Sequence, residues 1–295
     1  MTDQLLTALA YEGQIRVLVL RATELVQQAQ QRHDTWHTAT AALGRTLAAT
    51  LLLGANAKGD ERISVEVAGS GPLGRIVCDS DGKGNVRGFV NEPHVALELN
   101  VQGKLDVAGA VGLPGLLTVR KLLGNKELFA GQVPLVSGEL AEDFTYYMAV
   151  SEQTPSSVGL SVLVNADESV AAAGGFMLQV MPGATEETLT DLEQRLAGLA
   201  RFSDLLASGK TLEELLGFLV GEANSEILEV LPVQFHCPYD KKYFEQGLLS
   251  IGREELEAMI EEDKGAEVVC HYCNDRYHFT EQELRDLLES ATRTE

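Results

Sequence analysis

Three of the four cysteines fall in the last 60 residues: Cys237, then 32 intervening residues, then Cys270-His-Tyr-Cys273. The segment that holds them, 232–295, is acidic and poor in large apolar side chains. A piece of that size usually needs a staple to fold. A C-x-x-C turn presents two sulfurs to one point, the usual half of a tetrahedral zinc site, and Cys237 adds a third. The local candidates for a fourth donor are His236, Tyr239, Asp240 and His271. Asp240 lies three residues past Cys237, a spacing similar to C-x-x-C, and a carboxylate is an acceptable though harder zinc ligand. Tyr239 is poorer, because a phenol of pKa about 10 must first lose its proton. His271 points away from its neighbours in the usual geometry of such a turn. The alternative is three reduced thiols packing a small satellite domain.

A length of 295 residues fits about two domains, and 45% hydrophobic with 23% charged residues is ordinary globular usage. The opening Met1-Thr-Asp-Gln-Leu-Leu6 lacks a basic n-region and an A-x-A exit. The expectation is a cytoplasmic chain with reduced thiols. No run of about 18 apolar residues occurs, so no membrane helix is expected. Forty-four acids against 23 bases give a net charge of −21, a field that repels phosphate backbones and argues against nucleic acid. Residues 1–180 hold 19 acids and 13 bases, and the remaining 115 hold 25 and 10. The acidic burden therefore lies mainly beyond residue 180, where a different kind of structure is expected.

Up to residue 180 the pattern is mixed. Gln14–Arg21 is rich in β-branched residues and predicts a strand, Thr23–His33 a helix, and Thr38–Leu53 a second, largely buried helix. Arg62–Val67 alternates strictly, Gly69-Ser-Gly-Pro72 turns it, and Leu73–Cys78 runs back. Strands follow at Val86–Val90, Val95–Val101, Leu116–Leu122, Gln132–Val136, Val158–Val164 and Gly175–Met181, with a helix over Glu139–Ser151. Without regular strand–helix alternation, this is an α+β core domain, 1–180. Beyond Met181-Pro-Gly183, Leu189, Leu192, Leu196, Leu199, Phe202, Leu205 and Leu206 recur at helical steps, one apolar stripe. Thr211-Leu-Glu-Glu214 is a capping box opening another helix. Residues 181–231 thus predict a helical, acidic linker, docked on the core or at times released from it. Residues 232–295 form the C-terminal domain, with a second capped helix from Thr280-Glu-Gln-Glu283.

Several stretches resemble the thirty-three-kilodalton chaperonin family of redox-regulated heat-shock holdases: Gly69-Ser-Gly-Pro72, Val86-Arg-Gly-Phe89, Glu142-Asp143 leading to Ser151-Glu-Gln-Thr-Pro155, and Ala172-Ala-Gly-Gly-Phe-Met-Leu-Gln-Val-Met-Pro182. Val233-Gln-Phe-His-Cys237 and Cys270-His-Tyr-Cys273, with Tyr277 and Phe279, continue the likeness in the same order. The resemblance implies an ATP-independent holdase of the bacterial cytoplasm, not an enzyme. It implies zinc held on four thiolates while reduced, and two disulfides, zinc release and unfolding of the C-terminal region after peroxide with heat, or hypochlorite. The linker then loosens, the protein dimerises, and unfolding clients are held. Applied here, the redox-active residues are Cys237, Cys270 and Cys273, the metal ligands those three with Asp240, and the client-binding face Leu189, Leu192, Leu196, Leu199 and Phe202. One departure matters. The family motif at the start of the redox region is C-x-C, and its second cysteine falls on Tyr239. A Cys270–Cys273 disulfide stays available, whereas Cys237 is left to pair with another chain, a small thiol, or Cys78 after rearrangement. A holdase that is constitutive or triggered by heat alone is the alternative.

Other signals lead away from chemistry. Asp79-Ser-Asp-Gly-Lys-Gly84 begins like a calcium loop but has Val90 where a bidentate glutamate belongs, and predicts a hairpin turn. Cys78 ends an apolar strand pattern and reads as a buried small hydrophobe. A zinc hydrolase would want histidine ligands and a general base, and H-E-x-x-H is absent.

Overall fold

Alternating apolar residues and capping pairs set the elements, which run in chain order as follows. The first half contains β1 (Gln4–Ala10), β2 (Ile15–Arg21), α1 (Thr23–His33), α2 (His37–Gly54), β3 (Glu61–Ala68), β4 (Arg75–Asp81), β5 (Asn85–Val90), α3 (Val107–Val111), β6 (Leu116–Leu123) and β7 (Lys126–Pro134). Next come α4 (Ala141–Val150), β8 (Ser156–Val164), β9 (Val170–Val180), α5 (Glu186–Ala197), α6 (Phe202–Ala207), α7 (Leu212–Val220), β10 (Ser225–Pro232) and β11 (Gln234–Phe235). The last stretch holds α8 (Lys241–Ser250), α9 (Arg253–Ala258), a π-helical turn (Met259–Asp263), β12 (Gly265–Val269), β13 (Arg276–Thr280) and α10 (Glu281–Thr292). This computed structural model describes residues 2–199, 201–221 and 225–292. The chain divides into a core unit, Met1–His236, and a cysteine unit, Cys237–Glu295.

Two sheets build the core unit. One has the order β10-β1-β2-β9-β8 and is antiparallel throughout; the other has the order β11-β5-β4-β3-β6-β7, with only the β11–β5 pair parallel. Helix α2 packs against β8 and β9 of the first sheet and β3, β4 and β5 of the second. Every residue of it except His37 and Arg45 is buried. Its threonines fit there because they bond back to their own helix, Thr46 Oγ1 to the Ala42 carbonyl at 2.9 Å and Thr50 Oγ1 to the Thr46 carbonyl at 2.7 Å. The glycine pair of the Ala172–Pro182 motif lies on β9, between β2 and β8. A Cβ on Gly174 would overlap the Leu20 carbonyl oxygen, and one on Gly175 would come within 2.5 Å of the Gly159 carbonyl oxygen. These glycines serve close strand approach.

Helices α5–α7 cover the face of the first sheet made by Leu6, Val17, Val19, Phe176 and Leu178. The Thr211/Glu214 capping box forms as read, with Thr211 Oγ1 accepting the Glu214 N–H at 3.2 Å and Glu214 Oε2 accepting the Thr211 N–H at 2.8 Å. Three expectations need correction. The stripe from Leu189 to Leu206 is carried by two helices, not one. The end of the expected helical linker is strand β10, paired along β1 from Gln4↔Pro232 to Ala10↔Ser225. Val95–Val101 forms no strand, only the bridge Leu99↔Leu105. The turn at Asp79–Gly84 is the hairpin expected, with Asp81 Oδ1 accepting the N–H groups of Lys83 and Asn85 at 2.8 and 3.1 Å. Among the described residues no helix is long and apolar enough to cross a membrane.

The cysteine unit is built on the antiparallel pair β12–β13 with α8, α9 and α10 around it. Its buried apolar side chains are Leu248, Leu256, Ile260, Phe279 and Leu284. Lys241 joins α8 to α10 through Glu283, Nζ to Oε1 at 2.5 Å. Thr280 and Glu283 cap α10 reciprocally, at 3.3 and 2.8 Å.

Candidate metal and redox site

Cys270-His-Tyr-Cys273 occupies the connection from β12 to β13. Cys270 closes that turn twice: its N–H donates to the Asp275 carbonyl at 2.9 Å, and its carbonyl accepts the Asn274 N–H at 2.7 Å. Asn274 takes the left-handed conformation (φ 59°) that the tight reversal needs and that asparagine tolerates. The turn faces both sulfurs inward, leaving Cys270 and Cys273 2% and 1% exposed. His271 between them is exposed, as its place in the turn implies.

Cys237 reaches the same point from the other end of the unit. The Tyr277 hydroxyl on β13 donates to the Tyr239 carbonyl at 2.7 Å, pinning the segment after Cys237 beside the turn. Tyr239 stacks on Tyr243 at 4.2 Å and meets Tyr272 edge-on at 6.2 Å, so an aromatic patch stands where the family motif would place a sulfur. The three Sγ atoms lie within 4.8 Å of one another, and Cys237 Sγ is 3.7 Å from Cys270 Sγ. This corrects the expectation that Cys237 lacks a partner within the unit: Cys270 stands next to it. None of the four cysteines is in a disulfide.

Three converging sulfurs could hold a metal ion. Burial pushes the thiols of Cys237 and Cys273 up. Burial, followed by the negative fields of Cys273 and Asp275, takes Tyr277 up to about 12 and keeps its hydroxyl a donor. Asp240, the expected fourth ligand, lies outside the cluster, and its Oδ1 accepts the Tyr243 N–H at 2.9 Å as N-cap of α8. Among the described residues no histidine, aspartate or glutamate joins the three sulfurs.

The other expected residues fall elsewhere. Leu192 and Phe202 are buried on the first sheet, Phe202 edge-on to Phe176 at 5.1 Å, and Leu189, Leu196 and Leu199 pack partly buried beside them. The face expected for clients is closed in this structure. Cys78 is fully buried on β4, where burial first and then Asp79 push its thiol well above the ordinary range. The spacing of Tyr277 from the C-x-x-C turn is visible in the sequence, but its bond to a backbone carbonyl 38 residues away is not.

Known proteins resemble this chain over its whole length. The family model described as "Hsp33 protein" matches residues 3–280. A "33 kDa chaperonin" of Enterococcus faecalis is 56% identical over 293 residues, covering 99% of this chain and 98% of that protein. One of Bacillus subtilis is 53% identical over 291 residues, covering 99% and 100%. The crystal structure of a 33 kDa chaperonin (heat shock protein 33 homolog) from Thermotoga maritima superposes with a TM-score of 0.91 at 36% identity, covering 99% of this chain and 100% of that one.

Proposed function

We propose, on the premise that this chain belongs to the Hsp33 protein family, that it is an ATP-independent holdase of the cytoplasm. It binds unfolding proteins without transforming them and is held in reserve by its cysteine unit. The observation that carries this reading is the meeting of Cys237, Cys270 and Cys273 in a unit with so small an apolar core. Soft, partly buried thiolates suit zinc better than any hard cation. The donor set therefore fits a zinc ion held by these three residues, and Asp240 would complete it only by giving up its cap on α8. When bound, such an ion supplies folding free energy to the module, about 10–16 kcal/mol in comparable sites.

The chain's own residues do the rest. Oxidation of the sulfurs, or heat, removes the order of residues 237–292. Holding a client requires that α5–α7 lift from β1, β2 and β9, because Leu192 and Phe202 are buried there. The released stripe is a large apolar face rimmed by acids, which keep a client complex soluble. Dimerisation would pair two such faces. Tyr239 favours a second reading, a holdase triggered by heat without redox control, because the second thiol of the family motif is missing. One experiment separates the two: zinc per chain and suppression of thermal aggregation, measured before and after peroxide. Redox control predicts loss of zinc together with a gain in suppression. Suppression at elevated temperature that peroxide leaves unchanged selects the second reading, and no suppression under any oxidant or temperature removes both.

A further inference from the structure

The three clustered thiols differ in access to solvent. Cys270 and Cys273 are almost wholly enclosed, whereas Cys237 is only half-buried. A soluble oxidant therefore meets Cys237 first, since oxidation of a thiol follows its exposure as well as its thiolate character. A sulfur oxidised there has to be resolved by a thiol within reach. The residues that follow it, Pro238, Tyr239 and Asp240, carry none. Across the cluster, Cys270 Sγ stands 3.7 Å away, and Cys273 Sγ is the other thiol of the group, within 4.8 Å. A disulfide closes at about 2.05 Å, and the more exposed partner can cover the difference by side-chain rotation.

We propose that peroxide joins Cys237 to Cys270, linking the first residue of the cysteine unit to the β12–β13 turn and leaving Cys273 as a thiol. The Cys237 sulfur attacks one peroxide oxygen, the O–O bond breaks, and a sulfenic acid and one water result. The Cys270 sulfur then attacks the sulfenic sulfur, the S–O bond breaks, and a second water leaves as the S–S bond forms. Two thiols are oxidised by two electrons in all, and one peroxide is reduced to two waters. The inference deepens the redox reading above and rests on it for the claim that oxidation regulates this chain.

The choice of pair has a mechanical consequence. A Cys270–Cys273 bond would close a turn that the Asp275 and Asn274 backbone bonds already hold, and would restrain little else. A Cys237–Cys270 bond spans 33 positions and encloses α8, α9 and β12. Longer closed loops restrict the open chain more. The cross-link consumes two of the three sulfurs that could hold a metal, yet it leaves the two loops tied. Such a tie opposes unfolding by less than the loss of a bound metal favours it, so the oxidised unit opens with residues 237 and 270 still joined.

The test uses the full-length protein. After peroxide treatment, remaining thiols are alkylated under denaturing conditions and the chain is digested without reductant for mass mapping. The expected result is a linked pair of peptides carrying Cys237 and Cys270, two hydrogens lighter than their sum, with Cys273 and Cys78 alkylated. A Cys270–Cys273 or Cys237–Cys273 link, or Cys237 recovered as a higher oxide or in a dimer, overturns the pairing. Cys273→Ser, which removes one metal donor, is expected still to form the same link; its failure to do so also overturns the proposal. In Cys270→Ser, trapping of the Cys237 sulfenic acid by a cyclic 1,3-dione should rise more than tenfold, and no rise counts against Cys237 as the first site. Client protection is scored on the same oxidised sample. A mapped Cys237–Cys270 link without a gain in protection sinks the redox reading and leaves the pairing, and a gain in protection with a Cys270–Cys273 link does the reverse.

Discussion

In the core unit, α2 lies between two sheets with all but two of its residues buried, and α5–α7 close the outer face of the first sheet. In the cysteine unit, five apolar side chains are buried among the described residues, and three sulfurs lie within 4.8 Å of one another. The first kind of structure is redundant, because losing one side chain leaves many neighbours. The second concentrates its integrity in a few atoms whose bonding depends on chemical conditions.

The largest way to break this comparison is Cys270→Ser with Cys273→Ser. Residues 237–292 should become protease-sensitive and basal holdase activity should rise, while the thermal transition of Met1–His236 persists. The effect is large because metal sites of this type supply about 10–16 kcal/mol, against about 5–15 kcal/mol for a whole domain. Unchanged proteolysis of that region would argue strongly against the sulfur staple. Leu215→Ala, at a fully buried position on α7, should destabilise the core unit by about 2–5 kcal/mol in urea unfolding with bound zinc unaltered. A parallel fall in zinc would erase the distinction.

Two aspartates sharpen it further. Asp143 is fully buried and accepts the N–H groups of Val136, Ser137 and Leu140 at 2.7, 3.0 and 2.9 Å. Asp143→Ala strands these donors and should cost about 1–3 kcal/mol, read from the same urea titration. Asp240 is exposed and caps one helix, so Asp240→Ala should cost about 1 kcal/mol. Zinc affinity measured on that variant decides its other role, since an unaltered value removes Asp240 from the ligand set.

The smallest effect is one of pH. Lys241 first, then the Thr280 backbone, hold Glu283 down at about 2, below the ordinary 4.5 of a glutamate. A carboxyl depressed in the folded state contributes stability above its unfolded pKa, and that contribution is lost as pH falls through the folded value. The α8–α10 link should therefore weaken between about pH 4.5 and about pH 2. Amide exchange in α10 would follow it, and Glu283→Gln should flatten the profile.

Much of this was legible before any coordinates. Helix α1 spans Thr23–His33 as its apolar spacing predicts, and both Thr/Glu capping boxes form, because a capping box is a contact among residues three apart. Strand β1 is not legible in the sequence: Leu5-Leu-Thr-Ala-Leu-Ala10 has no clean alternation, and it is a strand because β2 and β10 pair with it on either side. For the same reason β10, whose Glu-Ile-Leu-Glu-Val-Leu suits a helix equally well, reads from sequence as part of the linker.

The sequence by itself determined the chemistry available to this protein: which residues carry sulfur, that Tyr239 does not, and that the leucine stripe is amphipathic. Composition and short spacings encode such properties directly. Only the tertiary structure decided that the stripe is shut against a sheet and that Cys237 lies 3.7 Å from Cys270. Both depend on contacts between residues far apart in the chain, which local periodicity does not specify.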